Sequence, residues 1–307
     1  MSTDIEAEQL STQHSALSTF FLRLKKNRAS LAGLSVIVLL LATAFLAPAV
    51  APYSYDGQYR GAEHQPPGWR GVTQKPEEPT AQTRSFTFGT DMNARDVLSR
   101  LIYGARVSLA VGVLATLVSL TAGVVIGLLS GFYGGWIDAL LMRFTDTVFA
   151  FPSILLAVAI TAVFDKPSLW VVFLALGLVG WTGMARLVRS QVLSIKTLDY
   201  VAAARALGVS DLRIVFRHVL PNCFGPIVVV STLAVGGNIL GEAGLSFLGL
   251  GVQEPYPSWG AMLAGARQHY QDYWWLGVFP GLAIVLTVLS FNLFGDGLRD
   301  ALDPRKQ

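Results

Sequence analysis

The residues that could do chemistry are few and scattered. The histidines, His14, His64, His218 and His269, stand at no spacing that would hold a metal or share a proton. The one cysteine, Cys223, lies inside an apolar run, where inert packing is expected, and it has no partner for a disulfide. The chain has no Gly-Lys dipeptide, hence no G-x-x-x-x-G-K-[ST] phosphate loop. No catalytic residue, metal or cofactor is indicated. The charged residues of interest lie beside apolar segments: Asp138, Arg143 and Asp146 at the head of one, Glu242 near the end of another. An ionisable residue at membrane depth is a functional hypothesis by default. For Arg143 and Asp146, three apart, a helical ion pair is expected. For Glu242 a structural hydrogen-bonding role is expected, with proton or substrate handling as the alternative.

The most informative stretch is Lys196 to Pro221, which carries two helical patterns where a plain loop would need none. The first, Asp199 to Leu207, is alanine-rich, has Asp199 as N-cap and stops at Gly208, the residue type favoured after a helix end. The second starts at Ser210 and places Leu212, Val215, Phe216 and Val219 at i, i+3, i+4, i+7, with Arg213 and Arg217 off that stripe. Pro221 suits the opening turn of a following helix, where its missing N–H costs nothing. An apolar stripe with a basic flank fits lipid headgroups or another protein's groove, and spacing alone does not choose between them.

The elements that must hold these residues are apolar. Of 307 residues, 52% are hydrophobic and 14% charged, whereas soluble domains carry roughly 25% charged residues. Runs without charge extend over Ala29–Tyr55, Val107–Ile137, Thr147–Phe164, Pro167–Ala185, Val219–Gly241 and Tyr273–Gly295. Each is long enough for a helix to cross about 30 Å of hydrocarbon, so the chain reads as an all-α, six-span membrane protein. The first run exceeds the usual apolar length of a secretion signal and reads as a retained anchor. Gly123, Gly127 and Gly131 share one face of the second span and favour close packing, read as packing within one subunit. Pro152 is expected to bend the third span, and Pro280 raises the same question in the sixth. The formal net charge of +3, without a long basic run, sets nucleic acid aside.

Arg23, Lys25, Lys26 and Arg28 before the first span place the N-terminus in the cytoplasm by the positive-inside rule. Six spans then put Arg186–Arg217 and the C-terminus on the same side. The organisation that follows is a polar cytoplasmic tail at 1–28 and a first span at 29–52. An extracytoplasmic loop at 53–100 precedes a five-helix core at 101–298, which contains the cytoplasmic loop 196–221, and a cytoplasmic tail occupies 299–307.

The run Tyr200-Val201-Ala202-Ala203-Ala204-Arg205-Ala206-Leu207-Gly208, with Pro221 thirteen residues after the glycine, resembles the EAA loop of binding-protein-dependent ABC import permeases. Ala202 stands where that motif has Glu, and His218 where it usually has Ile. Further stretches resemble the second, C-type permease subunit of dipeptide, oligopeptide and nickel importers. They are Phe88-Gly89-Thr90-Asp91 with Arg95-Asp96-Val97-Leu98, Tyr133-Gly134-Gly135-Trp136, Ala150-Phe151-Pro152, Leu245-Ser246-Phe247-Leu248-Gly249-Leu250-Gly251, Pro257-Ser258-Trp259-Gly260, and Gly295 through Pro304. Residues 59–83 match no part of that pattern.

The resemblance implies the type I importer permease fold in the bacterial inner membrane. It also implies four kinds of companion: a second homologous permease, two cytosolic ATPase subunits, an external substrate-binding protein and membrane lipid. It assigns contact with the ATPase to Ala203, Ala204, Arg205, Gly208, Leu212, Arg213, Val215, Phe216, Arg217 and Pro221. Peptides are the implied cargo, with nickel chelates or other small solutes as alternatives. A self-sufficient secondary transporter would instead show an inverted repeat, and none is visible.

Overall fold

The computed structural model describes residues 24–78, 80–164, 168–269 and 271–302. The polar tail expected at the N-terminus and the last basic residues, Arg305 and Lys306, lie outside them. The chain forms α1 (Arg28–Phe45), α2 (Ala47–Val50), β1 (Trp69–Thr73), β2 (Gln82–Phe86), α3 (Val97–Tyr133), α4 (Gly135–Phe149) and α5 (Ser153–Thr161). It continues with α6 (Leu169–Ile195), α7 (Asp199–Ala206), α8 (Asp211–Ile214), a π-helical turn (Val215–Val219), α9 (Leu220–Phe247), α10 (Trp259–Ala266) and α11 (Trp275–Leu302).

Five helical segments, α1, α3, α6, the continuous Asp211–Phe247 and α11, are long and apolar enough to cross a membrane. A sixth crossing exists only if α4 and α5, bent by 83°, are taken as one broken span. The bend expected at Pro152 is therefore a break: α4 ends at Phe149 and a new helix starts after the proline, which offers no N–H to continue the ladder. Pro280, by contrast, is buried inside an unbroken α11.

The helix ends also differ from the charge-free runs. α3 begins at Val97, inside the stretch assigned to the outer loop, because the Asp96 carboxylate accepts from the Ser99 amide at 2.7 Å and caps the helix there. α6 runs past Arg186 and Arg189 to Ile195, and both arginines find carboxylates on α4. Arg189 holds Asp138 through two bonds, at 2.6 and 2.7 Å. Asp146 does not pair with Arg143 as expected; it accepts from Arg186 at 2.6 Å, across helices, with the Arg186 guanidinium 3.9 Å above the Phe149 ring.

The packing of α3 on α6 explains the glycine repeat. A Cβ at Gly123 would stand 2.5 Å from Met184 Cβ, one at Gly127 2.6 Å from the Ala185 carbonyl, and one at Gly131 2.7 Å from Val192 Cβ. The close approach is within this chain, as read from the sequence. In a membrane, where lipid is as apolar as leucine, such interlocking supplies most of the drive to associate.

At the N-terminal end of α3, residues 53–78 and 80–96 fold against the bundle. β1 and β2 form an antiparallel hairpin in register Trp69↔Phe86 to Thr73↔Gln82, so this loop adds a small sheet to the helices. Tyr59, Ala62 and Phe86 make its core, with Tyr53 and Trp69 against them. Burial pushes the Tyr59 phenol up to about 12, which keeps it neutral between Lys75 and Arg84. Arg95 ties the loop down, binding Asp91 at 2.7 Å and Glu254 at 2.8 Å, while Trp275 Nε1 donates to the Thr90 carbonyl at 3.3 Å.

Glu242 is fully buried near the C-terminal end of α9. It accepts from Ser246 at 2.7 Å and Ser258 at 2.8 Å, with the Ser108 hydroxyl at 3.4 Å. Ser108 in turn accepts from the Trp259 amide at 3.2 Å. The acid therefore joins α3, α9 and the start of α10, the structural role expected of it.

Gly127→Leu should force α3 from α6. Overpacking at such a site costs about 1–3 kcal/mol, seen as a lower unfolding temperature of the detergent-solubilised protein. Gly183→Ala, where a Cβ meets nothing within 4 Å, should leave that temperature unchanged.

Candidate functional site

The end of the bundle opposite the hairpin carries the segment singled out in the sequence. α7 begins after Leu198, with Asp199 in its first turn and not at the cap. There its carboxylate still favours the positive end of the helix. Gly208 takes φ +76°, the left-handed conformation that ends the helix, and Val209 N donates back to the Ala204 carbonyl at 3.1 Å. Ser210 occupies the N-cap position of α8 without a side-chain capping bond.

From Asp211 the helix does not stop before Pro221. It passes through the π turn and continues as α9 to Phe247, one uninterrupted helix of 37 residues. The π turn corrects the expected stripe. Its wider i→i+5 spacing shifts the phase of the helix, so the four residues no longer share a face. Val215 and Val219 are buried, together with Ile214, against Val201, Ala204, Phe132, Val188 and Val192. Leu212 and Phe216 point away and are 65% and 63% exposed.

The ten residues assigned to contact thus fall into two groups. Ala204 and Val215 are interior and fasten the segment to α3 and α6. Ala203, Arg205, Gly208, Leu212, Arg213, Phe216, Arg217 and Pro221 are exposed. Burying Ile214 and Val219 completely contributes about 1.5–3 kcal/mol each, so the segment is held by its own chain before any partner arrives. Arg205 lies 5.4 Å from the Phe132 ring centroid and 4.0 Å from Asp211, which fixes where its charge is presented. Lys196 donates to the Gly131 carbonyl at 2.7 Å and so answers an unpaired acceptor at the end of α3. Leu207, beside Gly208, is a further exposed apolar residue of this segment, at 83%. The sequence pattern missed it because it belongs to the first helix and not to the second.

The two departures from the EAA pattern are both at the surface. Ala202 is exposed, and His218 is half-buried with its ring centroid 6.2 Å from that of Tyr200. Among the described residues no cluster of three or more His, Cys, Asp or Glu side chains could hold a metal.

Residues 123–307 match the family described as binding-protein-dependent transport system inner membrane component, and residues 15–67 match the N-terminal transmembrane domain of oligopeptide transport permease C. The chain is 44% identical over 296 residues to a dipeptide transport system permease protein of Alkalihalophilus pseudofirmus, covering 95% of this chain and 92% of the relative. It is 44% identical over 291 residues to a di/tripeptide permease protein of Pseudomonas aeruginosa, covering 95% and 93%. A glutathione transport permease protein of Pectobacterium atrosepticum is 42% identical over 282 residues, covering 92% and 88%. Among solved structures, the inward-facing MetNI methionine ABC transporter superposes with a TM-score of 0.55 at 18% identity, over 66% of this chain and 97% of that one. That likeness shows the type I importer permease fold. With the family matched over most of its length, the chain belongs to the binding-protein-dependent transport system inner membrane components, as a C-type permease subunit of the peptide and oligopeptide ABC importers.

Proposed function

We propose that this subunit carries short peptides, di- or oligopeptides, handed over by an external binding protein, and that the exposed face of residues 198–217 docks on the cytosolic ATPase subunits. The observation that carries the substrate reading is the 44% identity, over 95% of the chain, to permeases named for dipeptides and tripeptides. As a permease subunit of this family it works with a paired permease, ATPase subunits and a substrate-binding protein.

The docking face is supported by its composition. Leu207, Leu212 and Phe216 are exposed apolar groups on a helical segment at the basic end of the bundle, flanked by Arg205, Arg213 and Arg217. Ala203 and Gly208 let a partner approach closely, and Pro221 opens the helix that leads into the membrane. Ala204 and Val215 act through the segment's own core, holding it in place. The same basic end supports a cytoplasmic location for both termini, since lysine and arginine are retained there.

Phe216→Asp should leave insertion and abundance intact, because the residue is outside the core. The ATPase subunits should co-purify roughly 30-fold less or worse, as expected from losing an interface anchor of about 2–4 kcal/mol, and peptide uptake should fall with them. Ile214→Asp, a fully buried position, should lower the abundance of the chain itself. Full ATPase association by the Phe216→Asp protein would show that this face is not the docking site. For orientation, a reporter active only in the cytoplasm should be active after Gln307 and silent at Lys75. The reverse pattern would invert the assignment.

A further inference from the structure

We propose that the break in the third crossing, residues 147–155, and the groove beside it line the water-filled path taken by the main chain of the transported peptide. This deepens the importer reading above and rests on it for the identity of the ligand.

Between α4 and α5 the ladder of backbone bonds fails. Among the described residues the carbonyls of Thr147, Phe149, Ala150 and Phe151 accept no hydrogen bond, and the amides of Ser153, Ile154 and Leu155 donate none. Residues 149–155 are all exposed on this chain. The groove next to them is lined by Ser153, Asn238 and the glycines 180, 237 and 241, with Ile154, Leu176, Val179 and Leu240 as its apolar part. Gly180 lies eleven residues inside the outer end of α6 and Gly241 six residues inside that of α9. At 1.5 Å per residue these depths are about 9–17 Å, near the middle of a hydrocarbon core about 30 Å thick.

Irregular backbone at that depth cannot face lipid, which has nothing to bond with it. It must meet protein or water. The helices of a paired permease are a poor cover, because their own N–H and C=O groups are already committed to one another. Water, and an extended peptide with one donor and one acceptor per residue, can meet both the free carbonyls and the free amides. The groove has matching features. Asn238 Nδ2 donates to Thr116 at 3.0 Å, which fixes the carboxamide, and its Oδ1 accepts no hydrogen bond among the described residues. A Cβ at Gly237 would meet nothing within 4 Å, so space is open there. Contact through the main chain also explains how one path serves peptides with different side chains.

The test uses the full complex in proteoliposomes, with this chain's sole cysteine removed by Cys223→Ala and labelling read on this chain alone. Single cysteines are then placed by Ser153→Cys and Gly237→Cys, with Val38→Cys and Val285→Cys on the outward faces of α1 and α11 as controls. A charged, membrane-impermeant methanethiosulfonate should modify the first pair at least about tenfold faster, since only a hydrated thiol ionises readily. Turnover of dialanine with binding protein and ATP should slow that labelling. Rates equal to the controls overturn the proposal, because the break is then sealed by protein. Fast labelling that dialanine turnover leaves unchanged also overturns it, because the wet surface then lies off the path. Dialanine uptake by the Cys223→Ala complex is measured in parallel. Its absence alongside fast labelling would refute the peptide reading while supporting a hydrated path at the break.

Discussion

A backbone N–H or C=O in hydrocarbon finds no partner except another backbone group or a protein side chain. Much of this structure follows from that constraint. The crossings are helices, and they pack through glycine faces that bring α3 within backbone contact of α6. At the basic end, α3 finishes at Tyr133 and a lysine amine from beyond α6 answers its Gly131 carbonyl. Acids that enter the bundle are given partners: Asp138 pairs with Arg189 and Asp146 with Arg186, while Glu242 is met by serine hydroxyls. At the break before Ser153, backbone carbonyls and amides are left without partners among the described residues.

The second feature is mechanical. From Asp211 to Phe247 the chain is a single helix of 37 residues, about 55 Å long at 1.5 Å per residue. One end bears Leu212 and Phe216, exposed beyond the bundle; the other bears Glu242, which holds Ser246 of its own helix and Ser258 at the head of α10. One continuous helix thus joins the exposed end to the loop that carries Ser258. The π turn lets the helix keep its ladder while Val215 and Val219 turn into the core shared with α3 and α6.

Absence of charge revealed where the crossings are, but not where the helices end. Asp96 caps α3 eleven residues before the charge-free run begins at Val107, and Arg186 and Arg189 extend α6 beyond its run. In both cases a specific pairing made a charged residue acceptable. The apolar spacing of Leu212, Val215, Phe216 and Val219 located the helix but misassigned half of its face, since the π turn alters a phase that spacing assumes constant. Pro152 announced a disturbance, while its size, 83°, depends on how α5 packs on α6 and is not a local property. Glu242 was legible as a buried acid needing partners; that Ser108 and Ser258 supply them is tertiary information. The hairpin at 69–86 left little signal, because its strands are short and its core is four aromatic rings drawn from 53–86.

The central claim is that this chain is the membrane path of a peptide importer whose energy comes from other subunits. Uptake of labelled dialanine into proteoliposomes measures it directly, with the chain reconstituted alone and then with its paired permease, ATPase subunits and binding protein. Accumulation against a gradient should occur only in the complete assembly, and only with ATP and binding protein present. Accumulation by the chain alone, driven by an ion gradient and indifferent to ATP, would contradict the account.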